Sequence, residues 1–396
     1  MQCFMLKYGN IMDTSLPELS ILLPCLNEEL GLPYCIDEIE SVIKQYHLNA
    51  EIIIIDNGST DKSREIVLAR AEKNKDIKLI SEKNTGYGSA YLSGIAESNG
   101  TYIFMADADG TYNFRDIPIF IRKLKEGADL VIGNRFIKKM EKGVMPWHHR
   151  YIGNPFLSFL VKKLFHVKSN DIHCGVRAIK REKLKEIKLY TRGMEFASEM
   201  IIQASRKNLK MVEVPVKYKA RIGTSKLRSF IDGWRNLRFI LLYSPLLLFM
   251  LPGLVFFSIG LISMICLYFF QIELFSIRLY IHPFFYSSLA MVLGYQLMIF
   301  AGFSKIYAVT HLGDNNSTII NSFKYLNIEK GLIAGLTLLA IGAFMYLYIF
   351  VDWINTNTGQ FDQLKNSIVA LTLLILGIQT FFSSFMFSII GIKERN

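Results

Sequence analysis

Two carboxylates stand one residue apart in Met105-Ala106-Asp107-Ala108-Asp109-Gly110. The apolar run Thr101 to Met105 precedes them, and a glycine closes the turn. Residues i and i+2 of a strand point the same way, so a sharp turn at a strand end aims Asp107 and Asp109 at one point. Two convergent carboxylates suit a hard divalent cation that holds a phosphate. A solvated acidic turn is the competing reading, because Asp and Gly serve turns readily. A calcium loop of the EF-hand kind is disfavoured. It needs a third Asp or Asn at the next alternate position and a glycine after it, whereas Thr111 and Tyr112 stand there.

The elements that must position this pair follow from hydrophobic patterning. Leu19 to Pro24 reads as a buried first strand, and Cys25-Leu-Asn-Glu-Glu29 opens a helix to about Tyr46. Glu51 to Asp56 is a second buried strand, β-branched as parallel strands tend to be. Asn57-Gly-Ser-Thr-Asp61 is a turn, with Ser59 or Thr60 placed to cap a helix through about Lys73. Ile77 to Ser81 is a third strand. Asn84-Thr-Gly-Tyr-Gly-Ser-Ala90 is a small-residue helix start that lacks the third glycine of a dinucleotide fingerprint. Thr101 to Met105 and Asp129 to Ile132 are the fourth and fifth strands. This alternation predicts a doubly wound α/β sheet. Ligands of such sheets sit at the carboxyl ends of the strands, where Asp56, Asp107 and Asp109 all fall.

The stretch that follows is less regular. Gly133-Asn-Arg135 ends the fifth strand, and Trp147-His-His-Arg150 leads into an apolar, basic helix from Tyr151 to Phe165. Asp171 to Arg177 reads as a loop, Gly193 to Glu199 as the start of a helix through about Lys207, and Met211 to Lys219 as a late strand. Arg221-Ile-Gly-Thr-Ser-Lys226 closes the domain. Asp171 reads equally as a base or acceptor-positioning group and as a structural loop carboxylate. Glu195 and Glu199 lie one helical turn apart on one face, and capping is an equal role for Glu195. His173 and Cys174 lack the further ligands of a metal site. His148 and His149 suit an interface beside Trp147, and Arg177 suits a loop anchor slightly better than a phosphate ligand.

The chain has 396 residues, 51% of them hydrophobic, and a net charge of +11. The apolar excess lies beyond about Arg238, in blocks at about 246–270, 284–306, 332–351 and 367–390. Each approaches or exceeds the roughly 20 residues that span a bilayer. Arg221, Lys226, Arg228, Arg235 and Arg238 form a basic collar ahead of them, suited to anionic headgroups. With a membrane beside that collar, nucleic acid is not an expected partner. Arg238 to Pro245 reads as an interfacial elbow. Few ionisable residues fall inside the blocks, which favours anchoring and packing over a transport pathway. Cys3, Cys25, Cys35, Cys174 and Cys266 show no paired or zinc-like spacing. The first 18 residues carry no sustained apolar run and read as a loose tail rather than a signal peptide. Basic residues are sparser in the loops with Arg278 and Lys365 than in that with Lys305, Lys324 and Lys330 or the tail with Lys393 and Arg395. That bias predicts a cytoplasmic soluble domain and cytoplasmic termini. The expected division is a tail (1–18), a soluble domain (19–226), a juxtamembrane helix (227–245), four spans (246–391) and a short tail (392–396).

In chain order, PCLNEE at 24–29, DNGSTD at 56–61, NTGYGSA at 84–90, DADG at 107–110, GNR at 133–135, CGVRA at 174–178 and RIGTSK at 221–226 resemble family 2 glycosyltransferases of the GT-A fold. They look most like the polyprenyl-phosphate branch, of the dolichyl-phosphate mannose or glucose synthase type. The resemblance covers about Leu19 to Lys226. It implies inverting transfer of one sugar from a nucleotide sugar to a polyprenyl phosphate, for envelope glycan or glycoconjugate synthesis. It also implies roles. Pro24, Asn27 and Glu28 would line the nucleotide pocket, and Asp56 would contact the base or ribose. Gly86 and Gly88 would let backbone approach the donor. Asp107 and Asp109 would hold Mg²⁺ or Mn²⁺ against the diphosphate. Arg135 and Arg150 would bind the acceptor phosphate, and Arg221 and Lys226 phosphates at the site's mouth. A phosphate monoester with its second pKa near ~6 needs orientation more than a general base.

The expected setting is a bacterial inner or other cell membrane, with membrane lipids as partners; a homo-oligomer is compatible with the sequence. The chain departs from processive polymer synthases, since Gln203-Ala-Ser-Arg206 is followed by Lys207 rather than Trp. The alternatives are transfer to a sugar hydroxyl of a lipid-linked glycan and, from another class, a catalytically silent membrane scaffold or translocation partner.

Overall fold

The computed structural model describes residues 16–141, 143–224, 229–244, 246–270, 272–274, 277–279, 281–311, 328–356 and 363–391. Lys226, Pro245, Lys324 and nearly all of both expected tails lie outside them. The chain forms two compact units, Met1–Ile240 and Leu241–Asn396.

The first unit is built on a seven-stranded sheet of order β3-β2-β1-β4-β6-β5-β7. The strands are β1 (Leu19–Cys25), β2 (Ala50–Asp56), β3 (Ile77–Ser81), β4 (Tyr102–Met105), β5 (Leu130–Asn134), β6 (Arg177–Lys180) and β7 (Met211–Pro215). All seven residues of β2 are buried, as expected of a strand covered by helices on both faces. The helices up to Tyr243 are α1 (Gly31–Tyr46), α2 (Ser63–Ala71), α3 (Tyr87–Glu97), α4 (Ile117–Lys125), α5 (Asn154–Phe165), the short α6 (Arg181–Leu184), α7 (Phe196–Arg206) and α8 (Ser229–Tyr243). Leu32, Cys35, Ile36, Ile39 and Val42 form the buried stripe of α1, the i, i+3, i+4 spacing of an amphipathic helix.

Register explains where the carboxylates meet. Cys25 pairs with Asp56, and Asp56 with Ser81, in parallel ladders. Leu22 pairs with Met105, so the 107–110 turn rises beside the end of β1. The sheet differs from the expected one at β6, which runs antiparallel between β4 and β5. An antiparallel strand enters at the edge its parallel neighbours leave. Arg177 therefore pairs with Met105 and with Ile132, and the 171–176 loop arrives at the same edge as the DxD.

Two other boundaries shift for local reasons. Leu26 to Leu30 is a turn rather than helix, because Glu28 and Glu29 donate their backbone N–H groups to Ser63 Oγ (2.9 Å) and Asp61 Oδ2 (3.0 Å). Neither Ser59 nor Thr60 caps α2. Asp61 Oδ1 accepts the Ser63 N–H instead (3.0 Å), while Ser59 and Thr60 are engaged by Asn27.

The second unit contains α9 (Leu251–Phe269), a small hairpin of β8 (Ile272–Leu274) and β9 (Ile277–Leu279), α10 (His282–His311), α11 (Ile328–Thr356) and α12 (Leu364–Gly391). Four stretches are long and apolar enough to cross a membrane: Leu247–Phe269, His282–Thr310, Ile328–Asn355 and Leu364–Gly391. Hydroxyl and amide pairs join α10 to α12, Ser288 with Thr372 at 2.6 Å and Gln296 with Gln379 at 2.9 Å. Such pairs satisfy side-chain polar groups where lipid offers no hydrogen bonds. The protein is integral to a membrane.

Candidate active site

Asp107 and Asp109 converge at the end of β4, as the alternation of a strand requires. Asp107 Oδ1 accepts from the Tyr87 hydroxyl at 2.9 Å. Its Oδ2 has no hydrogen-bond donor among the described residues and lies against the backbone of Gly175, where a Cβ would come within 2.3 Å. Burial, then the charge of Asp109, pushes the Asp107 carboxyl up to about 7; Tyr87, Arg135 and Arg221 pull the other way. Asp109 Oδ1 accepts from Thr111 N (3.0 Å) and Thr111 Oγ1 (2.6 Å). Asp109 Oδ2 accepts from Arg221 Nη1 at 3.0 Å, and Arg221 Nη2 also meets Glu28 Oε1. One arginine late in the domain thus balances two carboxylates that follow the adjacent strands β1 and β4.

This cluster fits a divalent cation. The donors are hard carboxylate oxygens, one of them lacks a partner among the described residues, and the charge of Asp109 bears on its neighbour Asp107. A doubly charged ion relieves that repulsion as Arg221 partly does.

The expected nucleotide residues form a second, linked group. Asn27 takes the left-handed conformation (φ 51°). It donates its N–H to Ser59 Oγ (2.9 Å) and accepts the Thr60 N–H on Oδ1 (2.6 Å). Asp56 accepts from Ser59 N (2.9 Å) and Arg64 Nη1 (3.2 Å). Pro24 sits in β1 opposite Ile55. These bonds hold the 24–29 and 56–61 motifs together at the carboxyl edge.

Gly86 and Gly88 pack closely against the chain itself. A Cβ on either would fall 2.2–2.3 Å from the carbonyl oxygens of Arg192 and Thr191. Gly88 also donates its N–H to Arg192 O (2.9 Å). The chain's own 191–192 backbone occupies the space that small residues leave at the helix start. Glu199 explains why. It is fully buried and accepts from Tyr190 N (3.0 Å), Thr191 N (2.9 Å) and Thr191 Oγ1 (2.6 Å), which pins that loop. Glu195 lies at the start of α7 without a side-chain cap bond.

Arg135 and Asp171 meet, but as a closed pair. Asp171 accepts from Arg135 N (2.9 Å), Nε (2.8 Å) and Nη2 (2.7 Å). The Asp171 side chain is 0% exposed, so it orients Arg135 and is unavailable as a base, which corrects that half of its expected role. Burial alone would weaken the guanidinium's hold on its proton, yet Asp171 keeps it firmly charged. The Arg135 guanidinium lies over the ring of Tyr218 (5.3 Å). Its charge reaches Asp107, so the two clusters share one neighbourhood. Arg177 is an anchor, donating to the carbonyls of Cys174 (3.0 Å), Ala197 (2.6 Å) and Ile172 (2.8 Å). Arg150 stands apart over Tyr151 at 5.3 Å. Trp147, Tyr151, Ile152, Phe156 and Phe159, next to it in sequence, are all exposed.

Sequence reasoning missed Tyr87, Gly175 and Glu213. Glu213, on β7, accepts from Asn134 Nδ2 (3.0 Å) and Ser169 Oγ (2.7 Å), tying the Arg135 strand end to the Asp171 loop. No spacing signal points to Glu213. Tyr87 lay inside a motif read only for its glycines.

Residues 20–188 match the family described as Glycosyl transferase family 2, and residues 302–391 match the Glycosyltransferase family 2 C-terminal transmembrane region. The low-salt glycan biosynthesis hexosyltransferase Agl6 of Haloferax volcanii is 31% identical over 376 residues, 95% of this chain and 89% of that protein. The dolichyl-phosphate hexose transferase of the same organism is 27% identical over 216 residues, 54% of this chain and 89% of that protein. Among solved structures, glucosyl-3-phosphoglycerate synthase from Mycobacterium tuberculosis, with phosphoglyceric acid, aligns at a TM-score of 0.46 and 19% identity, over 57% of this chain and 79% of that one.

Proposed function

The chain belongs to glycosyltransferase family 2, and from that premise we propose that it moves one hexose from a nucleotide sugar to a membrane polyprenyl phosphate, with inversion. The observation that carries this reading is the Asp107–Asp109 pair with Arg221 as its exchangeable counter-charge. Asp107 and Asp109 would hold Mg²⁺ or Mn²⁺, which when bound supplies Lewis-acid stabilisation of the leaving diphosphate. Arg221 lets go of Asp109 and Glu28 and turns to the phosphates, adding positive charge where negative charge develops. By the sequence resemblance, Lys226 would add a second cation for the phosphates. Asn27, Glu28, Asp56 and Pro24 frame the nucleotide.

On the acceptor side, Asp171 fixes Arg135, whose Nη1 makes no hydrogen bond among the described residues and would meet the acceptor phosphate. Arg150 supplies a second cation beside an exposed aromatic face. Such faces favour the bilayer interface, which suits an acceptor whose phosphate is carried by lipid. The acceptor phosphate attacks without giving up a proton, so no base is required. A sugar hydroxyl would need one, and Asp171 is not free to serve. The relative named for dolichyl phosphate supports the same acceptor class. The working division is a catalytic stretch at 19–226, a juxtamembrane helix at 227–245 and spans at 246–391, with the catalytic unit and both termini cytoplasmic.

The test incubates the purified chain with polyprenyl phosphate, Mg²⁺ or Mn²⁺, and a panel of nucleotide sugars. A lipid-phosphate monosaccharide is the expected product. Sugar found only on oligosaccharide hydroxyls, or as long polymer, defeats the reading. A silent scaffold would keep its cellular role when Asp109 becomes Ala.

A further inference from the structure

Tyr87 stands between Gly86 and Gly88 at the first position of α3. Its frame is held on several sides. Gly86 donates its N–H to Asn57 Oδ1 (2.7 Å), and Gly88 and Ser89 donate theirs to Arg192 O (2.9 and 3.2 Å). The ring packs edge-on against Tyr91 at 4.9 Å, and Tyr91 stacks on Phe196 at 5.4 Å. From this frame the hydroxyl donates to Asp107 Oδ1 at 2.9 Å and also meets the Tyr91 hydroxyl. Across the carboxylate lies the Gly175 backbone, itself tethered through its N–H to the Tyr112 hydroxyl at 2.8 Å.

Phenylalanine would satisfy the ring packing equally well, so what the hydroxyl adds is its donation to Asp107. A phenol carries its proton at neutral pH. Being neutral, it orients the carboxylate without cancelling its charge, as a lysine or arginine would. Arg221 treats Asp109 in the opposite way.

We propose that Tyr87 is a positioning residue for the divalent cation: its hydroxyl fixes the Asp107 carboxylate before the ion arrives and leaves its charge intact. This rests on the reading of Asp107 and Asp109 as the cation-holding pair. Hydrogen-bond partners of metal ligands are worth about 10–100-fold in affinity.

The test measures Mn²⁺ binding to the full-length protein in detergent by electron paramagnetic resonance, with no sugar donor present. Tyr87→Phe should raise the Mn²⁺ Kd about tenfold. Its Tm should be unchanged, and its kcat at saturating Mn²⁺ should stay within about twofold. Tyr91→Phe should bind as the unaltered protein does, and Tyr87→His, which returns an N–H donor, should regain part of the affinity. Unchanged binding by Tyr87→Phe overturns the proposal. So does an equal loss in Tyr91→Phe, or failure of Tyr87→Phe to fold, since both mark a packing role. Asp109→Asn separates the two readings. If it loses Mn²⁺ while Tyr87→Phe keeps it, the role of Tyr87 alone fails; if it keeps Mn²⁺, the cation site fails as well.

Discussion

Arg135 meets Asp171 through three hydrogen bonds, with 7% and 0% of the two side chains exposed. Arg221 meets Asp109 and Glu28 through single contacts, with 22% of its side chain exposed. Both are arginine–carboxylate clusters at the same edge of one sheet. The first pair is sealed, so removing either partner strands a charge in the interior, at a cost of about 3–5 kcal/mol. In the second, Arg221 keeps an open side from which water and incoming phosphates can replace what the two largely buried carboxylates give. The contrast separates a charge that is built in from a charge that is lent. The sealed arginine suits a fixed acceptor site. The bridging one suits a donor diphosphate that arrives and leaves with each turnover.

The largest expected effect tests the lent charge at its source. Asp109→Ala should lower kcat/KM at least about 10³-fold, or about 4 kcal/mol of transition-state stabilisation, with Tm nearly unchanged. Excess chelator should match that loss in the unaltered protein, and added Mn²⁺ should reverse it. Full activity under chelator would remove the metal role.

Asp171→Ala should act through the fold instead. It should destabilise the first unit by about 3–5 kcal/mol, read as a lower unfolding midpoint. A stable, fully active Asp171→Ala would break the comparison.

A smaller effect comes from acid. Burial pushes His173, beside the sealed pair, down to about 4. Asp171 opposes that shift, Arg135 and Arg177 add to it, and Ser198 on α7 faces its Nε2 at 3.2 Å. Unfolded, the ring would take a proton near 6.5, so the unfolded state binds more protons below that pH. The histidine's own contribution to stability should therefore fall as pH drops from 6.5 towards 4, against the opposite contribution of Asp107, whose carboxyl is held up to about 7. The Tm of His173→Asn relative to the unaltered protein should rise as pH falls between those values.

Arg221→Gln should cost the fold less than Asp171→Ala does, while raising the KM for nucleotide sugar several-fold. A large loss of Tm there would show that the bridge is structural and erase the distinction between the two clusters.

Much of this site was legible in the chain. Alternating apolar runs and loops located five strands within a residue or two at most ends, since a buried parallel strand needs an uninterrupted apolar segment. The DxD lay at a strand end because the turn residues follow that run directly. The four apolar stretches were visible because a span needs length and apolarity, both local properties. Gly86 and Gly88 announce a close backbone approach, but the sequence does not name the 191–192 segment that makes it. The four residues of β6 were too few to show a period, and Arg177 looked like part of a loop.

The sequence by itself determined which residues could do chemistry and which end of the sheet would carry them, because strand alternation and turn composition act between neighbours. Pairing was decided by tertiary structure alone. Arg135 and Asp171 are 36 residues apart, and Arg221 and Glu28 are 193 apart. Whether an arginine is sealed or lent depends on register, on the antiparallel entry of β6 and on what excludes water. Those are properties of packed elements, and no pattern of apolar and charged residues along one segment encodes them.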